Sequence, residues 1–246
     1  HHKSHAAAGY YTSPFNSSAV LVIDAIGEWT TTSIWKNMEK KWAVSYPTSL
    51  GLFYSAMTDR IGLKANEDEY ILMGMSAYGD PNRFHRDIKR LLKENLHRGC
   101  RWWNPDLKEE DYFDVAAATQ KIYEWEFRKL LFTAARLTDE NNLVFMGGCA
   151  LNCLANRLIP EYFSNHWIMP NPGDAGSSIG AIAAREHVRL NWKTPYLGYN
   201  IEGTYPTNDL LANLVALKIV GVANGRAEFG PRALGNRSLL ADPKGS

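Results

Sequence analysis

His1 and His5 stand four residues apart in the opening segment His1-His2-Lys3-Ser4-His5. On an α-helix, positions i and i+4 share a face, so both imidazoles can reach one metal ion. Neutral imidazole suits iron, zinc, nickel or manganese, and a carboxylate from elsewhere completes a facial set with open positions. Three plainer readings compete: a tag remnant (though Lys3-Ser4 interrupts the run), a frayed terminus, or a solvated polar face. A carboxylate of the needed kind is Asp174, in Asn171-Pro172-Gly173-Asp174-Ala175-Gly176. It lies where a helix should start, so it is equally an N-cap for orphan amides.

Two further segments carry chemistry. Gly147-Gly148 falls between an expected strand and helix, where backbone can approach a ligand and free N–H groups collect. Asn152, five residues on, can read a polar edge or a ribose; a plain strand-to-helix turn is the bland alternative. Residues 225–238 hold Arg226, Arg232 and Arg237 among Gly225, Gly230 and Gly235. Arginine forks bind phosphate and carboxylate oxygens in bidentate fashion. The alternative is a surface loop with a Glu228–Arg salt bridge worth little energy.

The elements that must position these residues follow from periodicity. Residues 1–11 read as a helix, and 20–24 as a buried strand that delivers Asp24 to a loop. A hairpin turn at Ile26-Gly27-Glu28 leads to a strand over 30–36. Helices are expected over 47–61, 86–96 and 116–137. Residues 98–114, with Trp102 and Trp103, lack periodicity; they read as an irregular loop or a specificity insert, with a core or lid role for the Trp as the alternative. Then a strand–loop–helix rhythm sets in: strand 142–146, helix 149–159, strand 166–169, helix 175–190. This indicates an α/β layered domain with sites at strand ends. Residues 196–206 read as a linker, 210–216 as a helix, and 217–223 as a strand entering the Arg-rich loop.

Lys plus Arg number 27 and Asp plus Glu 26, far from the basic excess of a nucleic-acid binder. No apolar run approaches the roughly 18 residues that cross a membrane. Three cysteines, Cys100, Cys149 and Cys153, make no disulfide framework and fit a reducing, cytoplasmic setting. The chain begins with His and ends in mid-pattern at Lys244-Gly245-Ser246, so a fragment of a longer protein is expected.

In order, HHKSHAAAGYY, VLVIDAIGEWTTTSIW, MGMSAYGDP, GGCALNCLANRLI, NPGDAGSSIGA and AEFGPRALGNRSLLADP resemble the O-carbamoyltransferases of nodulation-factor and antibiotic biosynthesis. The resemblance implies an ASKHA-type, ribonuclease-H-like domain over 1–192, its N-terminal part missing, akin to tRNA threonylcarbamoyl-transfer proteins. It implies a linker and the start of a threonylcarbamoyl-adenylate-synthase-like domain over 193–246. Such enzymes make carbamoyl-adenylate from carbamoyl phosphate and ATP and pass the carbamoyl group to an acceptor hydroxyl. By the same resemblance His1, His5 and Asp174 would ligate a divalent metal, Fe²⁺ first among candidates. Asp24 would stand beside the metal and the nucleotide phosphates. Gly147, Gly148 and Asn152 would line the adenosine-side turn, and Arg232 and Arg237 the loop near the nucleotide. His2, beside the ligands, is a candidate base for the acceptor hydroxyl. Ala25 departs from the family, which has Gly there. The stretch between Asp24 and Gly147 is short, and a chain ending at Ser246 would lack the adenylation step. The rivals are a tRNA threonylcarbamoyl transferase and a non-catalytic metal- or nucleotide-binding module.

Overall fold

A computed structural model of the chain describes residues 1–100 and 103–242; Trp102 and the closing 244–246 stretch lie outside the described residues. Two units are distinct, His1–Leu190 and Asn191–Ser246. The first runs α1 (His2–Thr12), β1 (Ala19–Gly27), β2 (Thr30–Lys36), β3 (Glu39–Ser45), α2 (Leu50–Arg60), α3 (Glu69–Met75), α4 (His85–Leu91), α5 (Asp111–Thr138), β4 (Asn142–Met146), α6 (Cys153–Asn156), β5 (Asn165–Ile168) and α7 (Asp174–Glu186). One mixed sheet, ordered β3-β2-β1-β4-β5, organises it. β2 is antiparallel to β1 and β3, whereas β4 runs parallel to β1 and β5 parallel to β4. This is an α/β fold.

The central strand β1 is apolar on both sides and buried on both. Leu21 and Ile23 face α2 and α5, where Phe53, Met57, Ile122 and Phe127 form the main core. Val20 and Val22 alternate to the opposite face, which α1 and α7 cover. Helix α1 is made of small residues there: Ala6, Ala7 and Ala8 have no exposed surface. A Cβ on Gly9 would come within 2.5 Å of the Val144 and Met146 side chains, and one on Gly180 of α7 within 1.8 Å of the Ser4 carbonyl oxygen. The two helices therefore touch backbone to backbone.

Several expectations need correction. The β1–β2 turn sits at Glu28-Trp29, with Glu28 left-handed (φ 61°), because β1 continues through Gly27. Strand β3 is not evident in the sequence because it opens as a charged sheet edge, Glu39-Lys40-Lys41, and alternates only over Trp42 and Val44. The short α3 is not evident either. The helix expected over 149–159 is broken into a 3₁₀ turn (Gly148–Leu151), α6 and a second 3₁₀ turn (Ile159–Glu161). Asn152 caps α6 and Pro160 interrupts the next turn, so no continuous helix can form. Trp103 is core: it is buried, with Phe84 edge-on at 5.9 Å and the Arg60 guanidinium over its ring at 5.6 Å.

In the second unit the expected linker contains a strand, β6 (Tyr196–Ile201), antiparallel to β8 (Gly225–Glu228). Helix α8 (Thr207–Leu217) precedes β7 (Ile219–Ala223), which pairs with β9 (Arg237–Ala241). Among the described residues no helix is long and apolar enough to cross a membrane.

Alanine is the better helix former by about 1 kcal/mol, yet at position 180 its methyl group would have to push α1 off α7. Gly180→Ala therefore destabilises, by about 1–3 kcal/mol. Thermal unfolding should show a Tm lowered by roughly 2–12 °C; an unchanged or raised Tm would mean the helices are not in backbone contact.

Candidate metal centre

Three chain segments meet at the C-terminal ends of the parallel strands β1 and β4. Strand alternation puts Asp24 on the same sheet face as Val20 and Val22, beneath the first turn of α1. The helical i, i+4 spacing brings His1 and His5 over it, and Asp174 enters from the start of α7. One donor atom from each of the four lies within 4.8 Å of all the others. His1 Nε2 is 3.0 Å from Asp24 Oδ2 and 3.2 Å from Asp174 Oδ1. His5 Nε2 is 3.1 Å from Asp24 Oδ2, 3.0 Å from Asp174 Oδ1 and 3.1 Å from His1 Nε2.

A second layer orients these donors. The Pro172 carbonyl can only accept, so His5 Nδ1, 3.2 Å away, carries the proton and leaves a lone pair on Nε2. The same carbonyl accepts the Gly147 N–H at 2.9 Å. Asp24 Oδ1 accepts the Ala25 N–H, which turns Oδ2 toward the histidines. Ser49, the N-cap of α2, accepts the Leu52 N–H and donates to the Ala25 carbonyl, tying the end of β1 down. Gly147 has φ 93°, and a Cβ there would lie 2.1 Å from the Ile23 carbonyl oxygen, so only glycine closes this turn.

The donor set fits a cation. Two imidazole nitrogens 3.1 Å apart can share one proton at most, and two carboxylate oxygens beside them have none to offer. An ion about 2.1 Å from each donor separates neighbouring octahedral donors by about 3.0 Å, against about 3.4 Å in a tetrahedron. The five donor–donor distances of 3.0–3.2 Å among His1, His5, Asp24 and Asp174 match the former better. Burial alone would raise the Asp24 carboxyl; the His5 hydrogen bond and charge and the Ala25 N–H outweigh it and hold the pKa below the ordinary value of 3.8. Asp24 is thus a charged ligand candidate in the cluster, closer in than the neighbouring position expected for it.

His2 is a correction. Its ring is 6% exposed and its Nδ1 is bound to Ser33 Oγ at 2.8 Å. Burial pushes its pKa down to about 4. The structure places His2 apart from the four clustered donors, enclosed against β2 rather than facing open space. Asn152 has both amide ends engaged: its Nδ2 donates to Gln120 Oε1, and its Oδ1 accepts from Gln120 Nε2 and from the Ala155 N–H. That leaves it little to offer a ribose. Gly148 stays at the cluster, where a Cβ would lie 3.3 Å from Asp24 Oδ1.

In the second unit Arg237 is likewise committed, donating to the carbonyls of Asn224, Asn236, Tyr199 and Gly225. Glu228 gathers the N–H groups of Leu234, Asn236 and Arg237, which outweigh burial and bring its carboxyl down to about 2. The Arg-rich loop is therefore built around a buttress of backbone bonds, with Arg232 half-buried in its turn.

The family profile described as "Carbamoyltransferase N-terminus" matches residues 1–105 and 103–183, and "Carbamoyltransferase C-terminus" matches 211–246. The chain belongs to the carbamoyltransferase family. It is 33% identical to an uncharacterized protein of Synechocystis over 99% of this chain and 50% of that one. It is 30% identical to nodulation protein NolNO of Sinorhizobium fredii (99% and 43%) and 27% identical to 3′-hydroxymethylcephem-O-carbamoyltransferase of Streptomyces clavuligerus (80% and 43%). The chain thus spans half or less of the length of these relatives. The Synechocystis alignment covers 308 positions, more than the 246 residues present, so that relative carries segments this chain lacks.

His2 sets a pH signature in metal-free protein. Its folded pKa, about 4, lies below the ordinary value of 6.5. The stability this contributes is full above pH 6.5 and is lost progressively as pH falls toward 4, about 3 kcal/mol in all. His2→Asn keeps an acceptor near Nδ1 without a titrating ring, and denaturant titrations from pH 4 to 7 should show a flatter stability profile. An unchanged slope would place His2 in solvent.

Proposed function

We propose that this chain is part of an enzyme that moves a carbamoyl group onto the hydroxyl of a small-molecule acceptor. The carbamoyl group is supplied by carbamoyl phosphate and activated with ATP as carbamoyl-adenylate. The observation that carries the reading is the convergence of His1, His5, Asp24 and Asp174 within a carbamoyltransferase chain. The order β3-β2-β1-β4-β5, antiparallel on one side of β1 and parallel on the other, supports a ribonuclease-H-like, ASKHA-type assignment for the first unit. Residues 193–246 are assigned to the start of the adenylate-forming domain. The names of the cephem and nodulation relatives support a small or sugar-type acceptor over tRNA.

His1, His5, Asp24 and Asp174 would hold the divalent metal, with Fe²⁺ preferred. Bound there, the ion would polarise the carbamoyl or phosphoryl oxygen and offset charge on the departing AMP. The chain's own residues do the rest. Pro172 fixes the His5 tautomer, and Ala25 aims Asp24. Gly147 and Gly148 keep the strand end free of side chains, so the reacting group can approach backbone. Asp174, whose side chain is 73% exposed, forms the open rim through which acceptor and nucleotide enter.

The test uses the whole protein with labelled carbamoyl phosphate, ATP and Fe²⁺, offered hydroxylated small molecules and, separately, tRNA. Label should enter a small hydroxyl compound with ATP consumed. Chelation should stop transfer and Fe²⁺ restore it, and His5→Ala should lower the rate at least 100-fold, roughly the loss of one essential electrostatic group. Label in tRNA alone would favour threonylcarbamoyl-type transfer. No ATP-dependent transfer to either, with no metal bound, would leave a binding module.

A further inference from the structure

The first turn of α1 presents two imidazoles to the candidate metal centre and a third to the sheet. The third, His2, lies against β2. The register Val22↔Ser33 and Val20↔Trp35 puts Ser33 and Trp35 on the face of the sheet that α1 covers. Trp35 Nε1 donates to Ser33 Oγ at 2.8 Å, and the same oxygen is 2.8 Å from His2 Nδ1. An indole N–H is a donor only, so it occupies a lone pair of the hydroxyl. The hydroxyl hydrogen is left for His2 Nδ1, which accepts it. All three groups are buried. His2 Nε2 then bears the proton, buried and turned toward the Thr30 backbone.

We propose that Ser33 is a positioning residue of the metal centre. Its hydroxyl, aimed by Trp35, locks His2 and so fixes the rotation of the turn that presents His1 and His5. This rests on the metal reading given above. Rotation is the sensitive coordinate. A turn of about 10° moves an atom at the rim of a helix, about 6 Å from its axis, by about 1 Å, whereas a functional shell tolerates about 0.5 Å. The middle of α1 is alanine and glycine, smooth surfaces that fix distance better than angle, and its far end is held by Tyr11 to His187 and by Trp167 to Thr12, away from the turn that carries the donors. In the first turn the directional bond of His2 to Ser33 ties the angle to the sheet, beside the bond of His5 to the Pro172 carbonyl.

Ser33→Ala, Ser33→Thr, Trp35→Phe and His5→Ala should be titrated with Co²⁺ by calorimetry, with visible spectra of the loaded proteins and Tm values of the metal-free ones. Ser33→Ala should lower Co²⁺ affinity about 10–100-fold, the usual effect of losing an orienting partner. It should change the Co²⁺ spectrum, while metal-free Tm falls only a few degrees. Ser33→Thr should restore affinity and spectrum. Trp35→Phe, which keeps an aromatic ring and frees the hydroxyl to turn, should cost threefold or more and decides the matter where Ser33→Ala does not fold. Wild-type affinity and spectrum in Ser33→Ala, or in Trp35→Phe, overturn the positioning role if His5→Ala has lost the metal. His5→Ala binding Co²⁺ as tightly as the unaltered protein overturns the metal reading itself.

Discussion

The backbone contact between α1 and α7 governs the rest of this unit. Helices usually lie 8–10 Å apart, held off by side chains. Here Gly180 brings α7 onto the Ser4 carbonyl, and Gly9 brings α1 onto Val144 and Met146 of the sheet. That closeness places the N-terminal turn of α1, the N-terminal turn of α7 and the end of β1 around one point. With ordinary side chains at these positions, His5 and Asp174 could not come within 3.0 Å. The small-residue packing contributes modest hydrophobic burial for its area. Its benefit is geometric, and the large aromatic and aliphatic core on the other sheet face, around Phe53, Phe127 and Phe145, supplies the burial instead.

Around that point the polar groups are arranged by shared acceptors. The Pro172 carbonyl takes both the His5 ring and the Gly147 N–H. Thus the loop before α7, the turn after β4 and helix α1 are joined through one oxygen. Ser49 does the same for α2 and β1. Each joint aligns a donor of the cluster and also satisfies backbone at an element end, where orphan groups are otherwise left. The charged Asp24 is tolerated in a buried setting because its second oxygen already has the Ala25 N–H.

Much of this was legible before any coordinates. The runs at Thr30–Lys36 and Asn142–Met146 stand out because the first is β-branched and aromatic, the second is apolar, and both have turn residues beside them. The spacing of His1 and His5 indicated a shared face, and Asp174 stood out as a carboxylate at a helix start. What sequence could not show was direction. Asp24 reads only as an acid at a strand end; its place beside both imidazoles depends on β1 alternation and on where α1 lies. His2, Asn152 and Arg237 looked available because polar side chains carry no mark of being already bonded. Their partners, Ser33, Gln120 and a ring of carbonyls, lie on other elements. Local chemistry singled out polar candidates, and only tertiary contact separated the four clustered donors from the side chains already bonded elsewhere.

The order in which the donors occur along the chain has a thermodynamic consequence. Three come from residues 1, 5 and 24, and the fourth from residue 174 at the far end of the unit. The Asp174 arm is carried by α7, whose seam with α1 closes the unit. An ion held here is therefore bound by the completed unit and hardly at all by its pieces. Its binding energy then adds to the stability of the whole unit in proportion to RT ln(1 + [L]/Kd). A bound ion would thus lengthen the life of the assembled first unit.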